Sequence, residues 1–314
     1  GSDREQLTSL ARTCSGIGDA IPTVLTMTVV PILGAGSSMA DYRIGFKWWA
    51  LIIAVVFVIS ELVCVACVPE RPVACNEKPG KISDMFKALF KNDQAMTVVV
   101  SIILVYTSIN ICGNLVLYFF RFDVGNEGAY SIFAAVAFAA QVLVMMVIPL
   151  LRKKFSKSQL FISGFIIQIV GFAVILIMAF AKLYTPQSWY ILCLPGVLIY
   201  LGYGMLNVIM TIFLSDSVDY GEVMNGTREE SVIFSMQTFT VKLASGVAVF
   251  LAGLIVDWIH LDTSATVQTQ DTLDALRMWM TIPSVILLIV GIFVFKRFYK
   301  LDDARMEEIK SKLN

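Results

Sequence analysis

The chain has 314 residues, 57% of them hydrophobic and 15% charged, with 24 basic side chains balancing 24 acidic ones. A soluble domain of this length carries more charge than that. A neutral balance, with no basic cluster interleaved with aromatics, also argues against a nucleic-acid partner.

Eight segments are long and apolar enough to cross the hydrocarbon core, which takes about 20 residues. They lie near 12–34, 46–68, 95–120, 129–150, 159–182, 188–215, 231–258 and 277–299. The first is the least regular, because Arg12 and Asp19 fall inside it. The two are seven residues apart and share a helix face. Arg12 either snorkels at the inner interface or meets a substrate or gate group. Asp19 is read as a cation or proton ligand, or as a structural partner of a polar group on another helix.

Between the second and third spans, residues 81–93 read as an amphipathic helix, with Ile82, Met85, Phe86, Leu89 and Phe90 on one face. It is expected to lie along the inner membrane surface. Cys64, Cys67 and Cys75 resemble a metal spacing only loosely, with no histidine near, and small-residue packing accounts for them better. The expected division is 1–68 as the end of an N-terminal bundle and 69–94 as a cytoplasmic linker. A six-helix C-terminal bundle follows over 95–300, and 301–314 is a cytoplasmic tail. Two spans before the linker and six after it point to an N-terminal part outside this chain.

In the third span, Asn110 and Asn114 stand one turn apart. Asn110 is read either as an interhelical hydrogen-bonding group or as a ligand of a substrate hydroxyl. Pro195, Gly196, Gly202 and Gly204 crowd the sixth span, where a bend is expected. The stretch 215–230 reads as an acid-rich loop with Asp216, Asp219, Glu222, Arg228 and Glu230. Acids at the carbonyl end of a helix need cations nearby. Arg4, Arg12 and Arg228 are the candidates, and a salt-bridge gate or a solvated loop are the alternatives.

The seventh span carries Gln237, Thr238 and Lys242. A charge at that depth costs at least about 2.5–3.5 kcal/mol, so Lys242 is expected to face a protein interior. It either binds solute oxygens or pairs with an acid outside this chain. Thr238, Gly246 and Gly253 lie along the same face and admit a close helix neighbour.

Loop charges set the expected orientation. Lys and Arg cluster after the second, fourth and eighth spans, while 259–275 has none. The positive-inside rule then puts both termini in the cytoplasm. Trp48, Trp49, Trp189, Tyr190, Trp258 and Trp279 form an outer aromatic belt. The single histidine, His260, leaves no nucleophile–base set, so an enzyme is the least supported class.

The run Asp216-x-x-Asp219-Tyr220-Gly221-Glu222, then Arg228-x-Glu230, then Gln237-Thr238-x-x-x-Lys242, resembles the glycoside–pentoside–hexuronide:cation symporter family. Arg4-Glu5-Gln6-Leu7 with Arg12 is similar to the start of the family's fifth helix, and Asn110 with Tyr118 to its seventh. The resemblance implies an all-α integral membrane protein with the major-facilitator bundle of twelve helices, eight of them, 5–12, in this chain. It implies that Arg12, Thr238 and Lys242 lie near the sugar. It assigns Arg4, Asp216, Asp219 and Arg228 to an inner gate, with Glu222 and Glu230 in the same acid-rich stretch. Asn207 stands where the family's familiar member has a sugar-site tryptophan, and Asp19 has no acidic counterpart there.

The implied function is secondary symport of a glycoside, pentoside or hexuronide with Na+ or H+, in a bacterial cell membrane. The ion ligands are expected on helices 2 and 4, outside this chain, and no covalently bound cofactor is expected. The expected partners are the sugar and the bilayer, and no oligomeric state follows from the residues. A sucrose or lysolipid carrier on the same fold, or a non-transporting sensor or fragment, are the alternatives.

Overall fold

The structure, a computed structural model, describes residues 2–36, 39–67, 90–226, 230–263, 265 and 267–313. The amphipathic stretch expected over 81–93 lies almost wholly outside them, as do Cys75 and Arg228. Nine α-helices occur among the described residues: α1 Ser2–Gly34, α2 Met39–Cys67, α3 Asp93–Tyr118, α4 Ala129–Leu151, α5 Lys157–Phe180, α6 Cys193–Asn225, α7 Glu230–Trp258, α8 Gln270–Phe298 and α9 Asp303–Leu313. Seven helical spans are long and apolar enough to cross a membrane, and α1, bent by 50° after Thr26, is an eighth when its two arms are counted as one span. Pro31 accounts for that bend. Its ring lacks an N–H and crowds the carbonyl four residues back, at Met27.

The chain forms two compact units. The smaller holds Gly18–Lys81, with the rest of α1 and α2. There α1 and α2 approach closely at Gly45, where a Cβ would strike the Val30 carbonyl at 2.1 Å, and the Trp49 indole donates to Thr26 Oγ1 at 2.8 Å. From Leu51 to Cys67 every α2 side chain is exposed, Cys64 and Cys67 as free thiols.

The larger unit joins residues 1–17 to the helices from α3 onward. Helices α3 and α6 are its axis: 72% of each span is buried, against 28–44% for α4, α5, α7 and α8. Helix α6 packs against α3, α4 and α5, and α3 also against α7 and α8. Caps punctuate the bundle. Ser156 and Gln159 form a reciprocal box at the start of α5. Asn92 caps α3 through Ala95 N–H and also donates to the Ser217 carbonyl at 2.8 Å, tying α3 to α6.

Two expectations change. Helix α6 runs unbroken from Cys193 to Asn225. Pro195 sits in its first turn, where no N–H is needed. Gly202 and Gly204 serve close packing instead of bending: a Cβ at 202 would lie 2.6 Å from the Gly164 carbonyl, and one at 204 would lie 2.9 Å from that of Gln141. The acid-rich stretch is therefore helix, not loop, as far as Asn225. The stop is Gly226 in the left-handed region (φ 73°), whose N–H caps the Glu222 carbonyl.

The expected tail is also structured. Leu301, Met306 and Ile309 are buried against Tyr220, Val223 and Tyr299, so α9 seals the end of α6.

Candidate functional site

Tyr203, Asn207 and Thr211 succeed one another at four-residue spacing on α6 and so share a face. Across from them, α3 presents Tyr106, which accepts from Asn207 Nδ2 at 2.6 Å and meets the Tyr203 ring edge-on. Thr211 Oγ1 donates to the Asn207 carbonyl at 3.1 Å. It accepts from Gln237 Nε2 of α7 at 3.2 Å and from Arg12 Nε of α1 at 3.0 Å. Helices α1, α6 and α7 thus meet at one hydroxyl inside an apolar bundle, with Tyr106 of α3 joined through Asn207, where burial raises the value of every satisfied contact. Among the described residues, no acceptor meets the two terminal nitrogens of Arg12. Arg12 therefore reaches a buried hydroxyl on α6.

The neighbouring residues divide. Gln237 is buried, whereas Thr238 and Lys242 lie on the exposed side of α7. Thr238 bonds back to the Phe234 carbonyl at 3.3 Å. Lys242 makes no ion pair among the described residues, and no atom lies within 4 Å of a Cβ built at Gly246 or Gly253. The opposite face of α7 carries Ala244, Ala248 and Ala252, buried. Asn110 and Asn114 turn their amides to the carbonyls of Tyr106 and Asn110, each at 2.7 Å, within α3 and not between helices. Asp19 is helical in α1. Among the described residues no three His, Cys, Asp or Glu side chains converge as metal ligands.

Farther along α6, Asp216 and Asp219 are buried and Glu222 is half-buried, while Glu230 is exposed at the start of α7. Arg4 lies in the first turns of α1, and Arg228 is outside the described residues. Asp216 forms an ion pair with Lys157, the first residue of α5. Asp303 of α9 lies 3.5 Å from Lys157 and 3.4 Å from Arg152. Lys157 is thus one cation at Asp216, and sequence reading assigned it only to a surface loop. Arg12 instead serves Thr211. Burial raises the pKa of the Tyr299 phenol well above its ordinary range, and the charges of Asp216 and Asp303 add to this.

The other end of the bundle holds a second polar knot that the sequence reading missed. A π-helical turn, Phe119–Asp123, aims Asp123 inward. Arg277 of α8 binds both of its oxygens, with Nε at 2.8 Å. Tyr184 donates to Asp123 at 2.5 Å, and Asp274 lies 2.7 Å from Arg277. Three charged residues and a tyrosine are linked there, joining α3, α8 and the α5–α6 connection.

A buried polar ladder thus lies inside a bundle of membrane-length helices. Residues 1–303 match the family described as MFS/sugar transport protein. The chain belongs to that family. Three relatives carry transporter names. The raffinose carrier protein of Pediococcus pentosaceus is 26% identical over 99% of this chain and 48% of its own length. The isoprimeverose transporter of Lactiplantibacillus pentosus is 24% identical over 96% of this chain and 61% of its own. The lactose permease of Lactobacillus delbrueckii subsp. bulgaricus is 25% identical over 99% and 49%. The chain therefore spans between about half and three-fifths of the length of these relatives. Family and spans together make this a multi-pass membrane protein of the MFS/sugar transport group.

Proposed function

We propose that the protein is a secondary active transporter, not an enzyme, that carries a glycoside, pentoside or hexuronide with Na+ or H+ by alternating access. One observation carries the reading: Arg12, Gln237, Asn207 and Tyr106 are linked through Thr211 in the bundle interior. Convergent donors and acceptors of this kind suit a ligand made of hydroxyls. On this reading Arg12, Gln237, Thr238 and Lys242 bind the sugar, with Asn110 and Asn207 flanking them. Asp19 remains a candidate on sequence grounds alone. The coupling-ion ligands belong to the partner bundle expected of the family.

The ends of the helices that carry Asp216, Lys157 and Asp303 then face the cytoplasm of a bacterial cell, as do both termini. The basic residues 152–154, 296, 297 and 300 at that end support this orientation. The first turns of α1 are seated on α4, where Ser9 donates to the Met145 carbonyl. We read this as a state closed on the cytoplasmic side, with Arg4, Asp219, Glu222, Arg228 and Glu230 as gate residues around the Asp216 ion pair.

Counterflow in vesicles holding the full-length protein tests the proposal. Labelled galactosides, pentosides, hexuronides, sucrose and a lysolipid would be compared, with and without Na+ and at two pH values. Exchange of a glycoside, pentoside or hexuronide, stimulated by one cation, is expected. Exchange of the lysolipid alone, or of nothing, overturns the reading.

A further inference from the structure

Thr211 is 7% exposed and uses its whole hydrogen-bonding capacity. A hydroxyl has one proton and two lone pairs. Here the proton goes to the Asn207 carbonyl, and the lone pairs accept from Arg12 Nε and Gln237 Nε2. The two acceptor contacts come from different helices, α1 and α7, while Thr211 itself stands on α6.

The choice of nitrogen on Arg12 matters. The guanidinium is planar, so holding Nε fixes the plane and leaves the edge formed by its two terminal nitrogens free to bind. Gln237 is held in a similar way. Its Nε2 is engaged, and its Oε1 has no partner among the described residues. One hydroxyl therefore orients a fork of donors and a neighbouring acceptor.

We propose that Thr211 is a positioning residue for substrate. It sets the Arg12 fork to grip two adjacent oxygens of a polyhydroxylated ligand, and sets Gln237 Oε1 to accept from a ligand hydroxyl. The ligand class is a sugar with a vicinal pair of oxygens. The inference rests on the sugar-transport reading of the same site and adds to it a residue that never touches the sugar. Groups held before the ligand arrives lose less freedom on binding.

The test uses the full-length protein in detergent, with titration calorimetry against a sugar that the parent binds and its mono-deoxy analogues. Thr211→Val keeps the branched shape and removes the hydroxyl. Its Kd for the sugar is expected to rise at least about tenfold, and its preference for the sugar over the deoxy analogues to flatten. Thr211→Ser is expected to stay within about threefold of the parent and to keep the preference. Where the valine variant does not fold, Thr211→Cys, a weak acceptor of similar size, is held to the same outcome. A valine or cysteine variant that matches the parent in Kd and in deoxy-sugar preference overturns the inference, even if its Tm falls. A parent that binds no sugar in the panel overturns the sugar reading, and this inference with it.

Discussion

Lys157 and Asp216 form an ion pair inside the bundle, with each side chain 6% exposed. They join the first residue of α5 to the acid of α6 that begins its terminal polar stretch. Removing one partner of such a pair takes an opposite charge away from the other in a low-dielectric setting.

Lys157→Ala is accordingly expected to destabilise the bundle by about 3–5 kcal/mol, and Asp216→Ala by a similar amount. The double replacement Lys157→Met with Asp216→Leu is expected to recover most of that loss. Thermal unfolding of the four proteins in detergent checks it, and a double variant no better than the singles would count against the pair as the main partner of Asp216.

Lys242→Ala is expected to weaken sugar binding by at least about tenfold, or about 1.4 kcal/mol, while the protein inserts and folds normally. The side chain is exposed on α7 and holds no structural ion pair among the described residues. Direct binding in detergent decides this. Parent-like affinity would assign the lysine to a structural pairing with another part of the protein.

Asp219→Asn is expected to slow transport more than it weakens sugar binding. The residue is buried near the end of α6, in the region we assign to the cytoplasmic gate. A ligand-independent shift between states is limited by the contact energy that differs between them. Transport rate, sugar affinity and labelling of cysteines on the cytoplasmic side would be measured together. Parity with the parent in all three would leave Asp219 a fold residue only.

Tyr184 supplies a pH signature. Burial raises the phenol well above its ordinary value of about 10, and the Asp123 carboxylate raises it further. A group whose folded pKa exceeds its unfolded value contributes stability that is complete below the unfolded pKa and is lost as pH rises beyond it. The parent is therefore expected to lose Tm above about pH 10, and Tyr184→Phe to lose less over the same range. Parallel curves for the two proteins would refute this assignment.

Gly202→Ala places a Cβ 2.6 Å from the Gly164 carbonyl and 2.7 Å from the Gln168 nitrogen. Both contacts are α5 backbone, which cannot yield cheaply, so a loss of about 1–3 kcal/mol is expected. An unchanged unfolding midpoint would show that α5 and α6 separate there at little cost.

The eight spans were legible because bilayer-length apolar runs are a coarse signal, carried by whole segments. Arg12 and Gln237 stood out for the same reason, as polar groups within such runs. Thr211 and Tyr106 did not, since a lone threonine or tyrosine in a membrane helix is ordinary. The four-residue spacing of Tyr203, Asn207 and Thr211 was the available clue. The acid-rich stretch was misread as loop because charge density imitates a solvated connection. Asp216 is paired with Lys157, 59 residues away in sequence, and no local pattern announces a partner at that distance. The Asp123–Arg277 pair was missed likewise, its members standing at span ends where charges are commonplace.

Helix α9 imposes an order on biosynthesis. Asp303 and the apolar residues around Met306 close the corner where α4, α5 and α6 meet. Those three helices enter the membrane long before residue 303 has been synthesised. During that interval Arg152 and Lys157 lack the Asp303 carboxylate, and Tyr220 and Val223 lack their apolar cover. The corner is thus completed late, after membrane insertion of the bundle, and a nascent chain stopped at Lys300 would be an inserted but unfinished bundle, open to quality-control proteases at that one end.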